Sequence, residues 1–187
     1  MRYLLISVFC GLLAATIFGC GGPRSLQSGD VGDMPDWYNE KPQDANYFYA
    51  TATATSQDLQ LSVDKAATGA RAEIGRMVET KAQGLQKRFD EETGIGKDAQ
   101  LLQMFTQATK LIVNTSLSGS QIAKQQQFQD GDIWRAYVLM QYPVGAANAA
   151  LLQQIKKNEQ LYTRVRASQV FKELDDEVKK FEESKKE

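Results

Sequence analysis

The feature that most constrains this chain is an alternating run at residues 47–55 that continues without a break into an amphipathic pattern reaching Val78. Small or apolar side chains occupy every second position of the run: Phe48, Ala50, Ala52 and Ala54. Tyrosines and threonines fill the positions between them, and a period of two is typical of a β-strand. The alanine face is nearly flat, and the helical pattern after it is also rich in alanine. We therefore predict a strand with its own following helix packed closely across it.

The helix after this strand has predictable ends. Ser56 is the predicted N-cap, and Asp58 in the first turn suits the positive end of the helix dipole. Apolar residues then recur at spacings of three and four, so one stripe is predicted to be core and the charged faces solvated. Residues 91–96 are predicted to end the helix, and a second helix is predicted from about Asp98.

Two further strands are predicted at residues 116–128 and 132–142, joined by a tight turn at Asp130 and Gly131. Asp-Gly is favoured in such a turn because a two-residue connection needs positive φ. In the first of these strands, alternation places four side chains on one face: Ile122, Lys124, Gln126 and Phe128. Its run of glutamines indicates an edge strand or a solvated surface.

A third helix is predicted from near Gly145, and its apolar spacing continues into the C-terminal tail. The tail, residues 161–187, is predicted to be a helical extension too long for so small a sheet to cover. Its apolar stripe supplies candidate partner-binding residues: Phe171, Leu174, Val178 and Phe181. Two interpretations stay open, a protruding helix that pairs with another chain or a solvated, fraying end. The predicted fold class is α+β: a three-stranded antiparallel sheet packed by two or three helices, with a long C-terminal helix.

The N-terminal residues predict a lipid-anchored protein. Residues 1–19 have the charged start, apolar centre and small-residue end of a signal peptide. Residues 17–20, Ile-Phe-Gly-Cys, resemble the bacterial lipobox, in which a small residue precedes the cysteine that becomes the lipidated N-terminus. Cys20 is thus the predicted lipidation site, with cleavage between Gly19 and Cys20. A plain signal-anchor helix is the alternative, because an apolar run of this length just spans a bilayer.

The residues after Cys20 predict how the domain is presented. Residues 20–33 are rich in Gly, Ser and Pro and are predicted to form a flexible tether. Gly21 is not the aspartate that retains many lipoproteins at the inner membrane, so an outer-membrane location is expected. Trp37 and Tyr38 are predicted to mark the start of the domain. They are interpreted either as a plug at the end of the sheet or as an exposed partner-binding site.

Composition excludes several kinds of chemistry. The net charge of -1 provides no positive field for phosphates, so nucleic-acid binding is not expected. The absence of histidine excludes a Ser-His-Asp triad and a histidine metal site. If Cys20 carries lipid, thiol catalysis is excluded as well. We therefore predict a protein that is not an enzyme and that has no cofactor and no metal.

Several motifs together resemble the LPP-twenty lipoprotein family, which includes outer-membrane lipoproteins of flagellar systems. They are the lipobox, the Pro-x-Trp entry of Pro35 and Trp37, the tyrosine-rich strand and the alanine-punctuated helix: Tyr47, Tyr49, Ala66, Ala67 and Ala70. The resemblance spans about residues 34–142, and residues 34–160 are taken as an LPP-twenty-like domain. It implies a non-enzymatic, envelope-associated α+β domain, with some relatives forming rings or assemblies around motility machinery.

The predicted function is a structural or protein-binding role in the bacterial envelope. The partners expected are a membrane, through the acylated cysteine, and other proteins or further copies of the chain. The alternatives are a carrier of a small ligand and an envelope enzyme that uses carboxylates or a serine.

Overall fold

The computed structural model of the protein describes residues 34–186, without the side chain of Asp130. The predicted signal peptide, the cleavage site at Gly19 and Cys20, and the tether lie outside the described residues. In chain order the elements are α1 (Asp36–Asn39), β1 (Tyr47–Ser56), α2 (Leu59–Thr93), a short 3-10 helix (Ile95–Lys97), α3 (Ala99–Gly119), β2 (Gln121–Asp130), β3 (Ile133–Pro143), α4 (Val144–Lys157), α5 (Glu159–Val165) and α6 (Gln169–Ser184). The strands form one antiparallel sheet in the order β1-β3-β2. The predicted α+β fold class is confirmed.

β1 and α2 pack against each other through small residues, as the alternation predicts. Ala50 in β1 and Ala70 in α2 are both fully buried, with 0% exposed. A Cβ added at Gly69 would lie 3.3 Å from the Cβ of Ala52, so the helix backbone runs close above the strand. Larger side chains on either partner would force the two elements apart, because protein interiors are close-packed.

α2 begins two residues later than predicted, and the prediction of Ser56 as its N-cap is wrong. Ser56 is still part of β1, where it pairs with Trp134 of β3. Its backbone is therefore part of the sheet at the position where the predicted helix would begin. Asp58 caps the helix instead, and its Oδ1 accepts a hydrogen bond from the backbone N–H of Leu61 at 2.7 Å. The predicted end is confirmed, since Gly94 follows α2 in the left-handed conformation, with φ of 67°.

The hairpin has the predicted order but different limits. The first strand was predicted from Ser116, but residues up to Gly119 belong to α3 and β2 begins at Gln121. Ser116 is fully buried, and its hydroxyl donates to the carbonyl oxygen of Val113 within the helix. The turn also lies one residue later than predicted. Asp130 pairs with Ile133, which leaves Gly131, with φ of 59°, and the residue after it as the turn.

A β-bulge changes which β2 side chains share a face. Pairing shifts between Ile122, opposite Met140, and Lys124, opposite Leu139, so Ala123 is the extra residue. Ile122 therefore lies on the same face as Gln125 and Gln127, the face toward α2. The prediction that Ile122 shares a face with Lys124, Gln126 and Phe128 is wrong, because one inserted residue reverses the alternation beyond it.

The predicted third helix is three helices, and the chain turns back instead of extending. Asn158 and Ser168 cap α5 and α6, and each side chain accepts a backbone N–H, from Leu161 and Phe171 respectively. Neither predicted form of the tail, a protruding helix or a solvated end, is found. Val165 and four apolar residues of α6 are buried instead: Val170, Phe171, Leu174 and Val178. Residues 161–186 therefore complete the domain rather than extend from it.

Polar contacts reinforce the docking of α6. Lys156 of α4 donates to Asp175 at 2.7 Å. Arg88 of α2 pairs with Glu173. The carboxylate of Glu92, also in α2, accepts the backbone N–H of Gln169 at 2.7 Å and so caps α6 from a neighbouring helix. These contacts join α6 to both of the helices beside it.

Candidate interaction surface

Among residues 34–186, β2 is an edge strand, and one long side of it has no partner. It pairs only with β3, so the N–H and C=O groups on its other side, which we call the β2 edge, are free of sheet pairing. The strand is 10 residues long, and its side chains from Gln121 to Gln126 are all exposed. A long exposed edge of this kind is a template for another strand.

The β2 edge has little of the protection that edge strands usually carry. Such strands are commonly blocked by proline, by charged side chains or by a bulge. The bulge at Ala123 and the charge of Lys124 lie in the first half of the strand. Between Gln125 and Gln129 the strand has neither a charge nor a proline. This second half is therefore open to pairing.

A groove lies beside β2 on the face toward α2. α2 lies mainly over β1 and β3, and within residues 34–186 the inner side of β2 is left largely uncovered. Residues that line this β2 groove include Leu59, Val63 and Arg71 of α2 and Ile122, Gln125 and Gln127 of β2. Leu59 and Ile122 are large apolar residues, yet 40% and 39% of their surfaces are exposed. The groove therefore offers apolar contact beside a strand that lacks a partner.

The opposite face of the sheet is covered in part by α1. The ring of Tyr38 packs edge-on against Tyr137 of β3, with 5.1 Å between their centroids. Phe128 of β2 also packs edge-on against Tyr137, with 6.0 Å between the ring centroids. Trp37, next to Tyr38, is half-buried. Tyr38 thus lies on the outer face of the central strand and takes part in packing within the domain.

The remaining candidate residues lie on α6, away from β2. Phe171, Leu174 and Val178 are buried in the core, where a partner cannot reach them without unfolding the helix. Phe181 is half-buried over Gly145, at the start of α4. The prediction that these four residues form one apolar stripe of a helix is confirmed. The stripe packs against the rest of the same domain and not against a partner.

A cavity of about 510 Å³ opens where β1 begins, beside the N-terminus of α4. Its lining includes Lys81, Gly145, Asn148, Glu177 and Lys180. Asn148 is only 3% exposed, and its Nδ2 donates to Glu177 at 2.7 Å. The volume falls in the range of pockets that hold small molecules. The lining combines two ammonium groups with one carboxylate.

Perturbed carboxyl groups occur in the contacts that dock α6. Hydrogen bonds from Lys156 and then Lys179 hold the pKa of Asp175 below its usual value. A hydrogen bond from Arg88 likewise lowers the pKa of Glu173. Elsewhere, burial raises the pKa of the Tyr142 hydroxyl. The two carboxyls therefore act in the folded state as anions that join helices.

Sequence reasoning identified β2 as a glutamine-rich edge or wet surface, but it missed the groove. The groove depends on the bulge at Ala123, which moves Ile122 to the side of α2. It also depends on the strand order, which leaves α2 above the other two strands. The sequence pattern that could have indicated the groove is the uncharged run Gln125–Gln127 close to an apolar residue in a predicted strand.

Two further observations concern residues 34–186. In this part of the chain no three side chains among Asp, Glu, Cys and His come together as metal ligands would. None of its helices has the length and apolar character that crossing a bilayer requires. Comparison with models of known protein families, with curated proteins and with solved structures finds no match for this chain.

Proposed function

We propose that this chain is a lipid-anchored protein of the bacterial envelope whose domain works by binding protein chains along its β2 edge. The observation that carries the binding role is the pairing-competent half of β2 next to the β2 groove. An added strand gains main-chain hydrogen bonds, and side-chain contacts in an adjoining groove give specificity. The domain thus offers both elements of strand addition.

The anchor is proposed from the sequence of residues 17–20. Cys20 would carry a diacylglyceryl group and an amide-linked acyl chain, and together these hold a protein on a membrane almost permanently. Gly21 favours the outer membrane in a cell that has two membranes. Membership of the LPP-twenty family and a place in a flagellar assembly are part of the same proposal and depend on the motifs described above.

Metabolic labelling with radioactive palmitate tests the anchor. We expect label on the wild-type chain and none on Cys20→Ser. A Cys10→Ser variant is the matched control, because Cys10 lies inside the apolar run and should not be the acylated residue. An unlabelled wild-type chain would refute the anchor and leave the binding role to be judged separately.

Site-specific photo-crosslinking in intact cells tests the binding role. A benzophenone amino acid is introduced at Gln125, which is exposed on β2, or at Gln107, which is exposed on α3. We expect a crosslinked protein product, identified by mass spectrometry, from position 125 and not from position 107. Equal products from both positions, or none from either, would contradict binding through the β2 edge.

A second function, a carrier of a small ligand, is favoured by the cavity beside α4. Lys81 and Lys180 give its rim two positive charges, and Asn148 is buried within it. A carboxylate or phosphate group would fit this lining better than a cation. Thermal unfolding with inorganic phosphate or acetate tests this: a rise in Tm that is absent in Lys81→Gln supports the carrier, and unchanged Tm values refute it for these groups.

A further inference from the structure

The shape of the β2 edge fixes the kind of partner it can bind. Its unpaired groups are backbone N–H and C=O in a row, and another extended segment can replace the water on all of them at once. Side chains from Gln121 to Gln126 are exposed, so nothing in the described residues obstructs a strand that approaches from this side. The remaining question is which strand binds there.

We infer that the strand is β2 of a second copy, paired antiparallel about a two-fold axis that passes through Gln126. This inference rests on the proposed binding role of the β2 edge and specifies its partner. The two three-stranded sheets would join into a continuous sheet with both copies of α2 on the same face. A two-fold contact of this kind is closed, so the product is a dimer.

Side-chain complementarity favours a second copy. In this register Gln126 faces Gln126, and Gln125 faces Gln127 of the second copy. A primary amide is both a donor and an acceptor, so each glutamine can donate a hydrogen bond to a facing glutamine and accept one from it. Facing pairs across two strands are the unit that stabilises a sheet. A strand with a different sequence would form the same side-chain hydrogen bonds only if it also had amide side chains at these positions.

The register also separates the only positive charge of the strand from its copy. Lys124 lies two residues from the axis, so the two Lys124 side chains are four residues apart along the joined strands, about 13 Å. This exceeds the distance over which exposed charges interact at physiological salt, about 8 Å. Lys124 faces Phe128 of the second copy instead, where its ammonium can lie over an aromatic ring. A two-fold axis through Lys124 itself would place like charges opposite each other.

β1 is the other edge of the sheet, and β1 of a second copy is a competing partner. The inner face of β1 is already covered by α2, as the full burial of Ala50 indicates. β2 has an exposed inner face as well as a free edge, so it has more surface to gain. Pairing of β1 with β2 would also be head-to-tail and would give open chains or rings instead of a closed dimer.

Disulfide trapping tests the register. The chain purified in detergent is oxidised after Gln126→Cys, Gln129→Cys or no substitution, and the unsubstituted chain gives the background of crosslinking that does not involve β2. We expect Gln126→Cys to form a covalent dimer, because facing residues in a sheet meet the Cα spacing of a disulfide. Gln129→Cys should stay at background, because its two copies would be about 20 Å apart. Equal trapping at both positions, or only background at position 126, would overturn the inference.

A charge-swap experiment tests the two-fold axis without relying on covalent chemistry. Gln126→Lys places two lysines opposite each other, and Gln126→Glu places two glutamates, so each variant alone should dimerise at least about fivefold more weakly. Mixing the two variants should restore dimers, because each dimer then pairs Lys with Glu. Sedimentation velocity measures all three samples, and far-ultraviolet circular dichroism checks that each variant is folded.

Each outcome separates this inference from the proposed function. If the wild-type chain is monomeric and position 125 still crosslinks to a different protein, the second copy is refuted and the binding role stands. If chains longer than a dimer form, the pairing is head-to-tail and the two-fold axis is refuted. If the mixed variants remain as weak as each variant alone, the facing of Gln126 with itself is wrong.

Discussion

Truncation of one apolar side chain of α6 tests whether this helix packs in the core of its own domain or binds another chain. Leu174 is 2% exposed. Leu174→Ala deletes three carbon atoms from a closely packed site, and substitutions of this kind cost about 2–5 kcal/mol. For a domain of this size each kcal/mol lowers Tm by roughly 2–4 °C, so the expected loss is about 4–20 °C. The assay is thermal unfolding followed by circular dichroism.

Leu111→Ala is the matched control, because Leu111 is also in a helix but is 52% exposed. Its expected effect is below about 1 kcal/mol, since alanine favours helix and little burial is lost. Both variants are measured at two protein concentrations tenfold apart. If Leu174 packs in the core of its own domain, the loss of Tm caused by Leu174→Ala is the same at both concentrations. Equal losses for the two variants, or a loss at Leu174 that appears only at the higher concentration, would refute the packing described here.

Two further predictions concern the surroundings of α6. A Cβ at Gly145 would overlap the ring of Phe181, whereas a Cβ at Gly84 meets nothing within 4 Å. In urea unfolding, Gly145→Ala should therefore destabilise the domain, while Gly84→Ala should stabilise it by about 0.5–1 kcal/mol; stabilisation by both would contradict the position of Phe181. The pKa of Asp175 is lower in the folded state than in the unfolded state, where it is about 3.9. The carboxylate therefore contributes to the free energy of unfolding above about pH 3.9, and this contribution is lost as the pH falls through the folded-state pKa. The stability difference between wild type and Asp175→Asn, at most about 1 kcal/mol at pH 7, should thus shrink between pH 5 and pH 3, and a difference that grows on acidification would refute the pairing with Lys156.

The parts of the fold that local patterns specify were predictable. Alternation at residues 47–55 predicted β1, and the alanines of the next segment predicted close packing of α2, which the burial of Ala50 and Ala70 bears out. Residues 91–96 were predicted to end α2, and the helix ends there at Gly94, because glycine adopts positive φ without strain. Each of these signals acts within a few residues of its effect.

The parts that were missed depend on contacts between distant residues. Ser56 and Asp58 are both good caps, and only the pairing of Ser56 with Trp134 decides between them. The breaks at Asn158 and Ser168 follow from the docking of α6 on α4, and no strong breaker such as proline or glycine marks either position. The bulge at Ala123 has no local signal either, since alanine is not a residue that demands one.

The candidate interaction surface follows from the same small residues that hold the sheet and helix together. A helix with its side chains is about 10–12 Å wide, and neighbouring strands are about 4.8 Å apart, so one helix covers about two strands. Because β1 presents the small side chains of Ala50 and Ala52, α2 packs directly on β1 and β3. The helix is not wide enough to cover β2 as well. A third strand can be added to such a sheet only if its inner face stays open or a second helix covers it. In the described residues β2 stays open, so the close packing at one edge of the sheet leaves a surface at the other edge that a second sheet can extend.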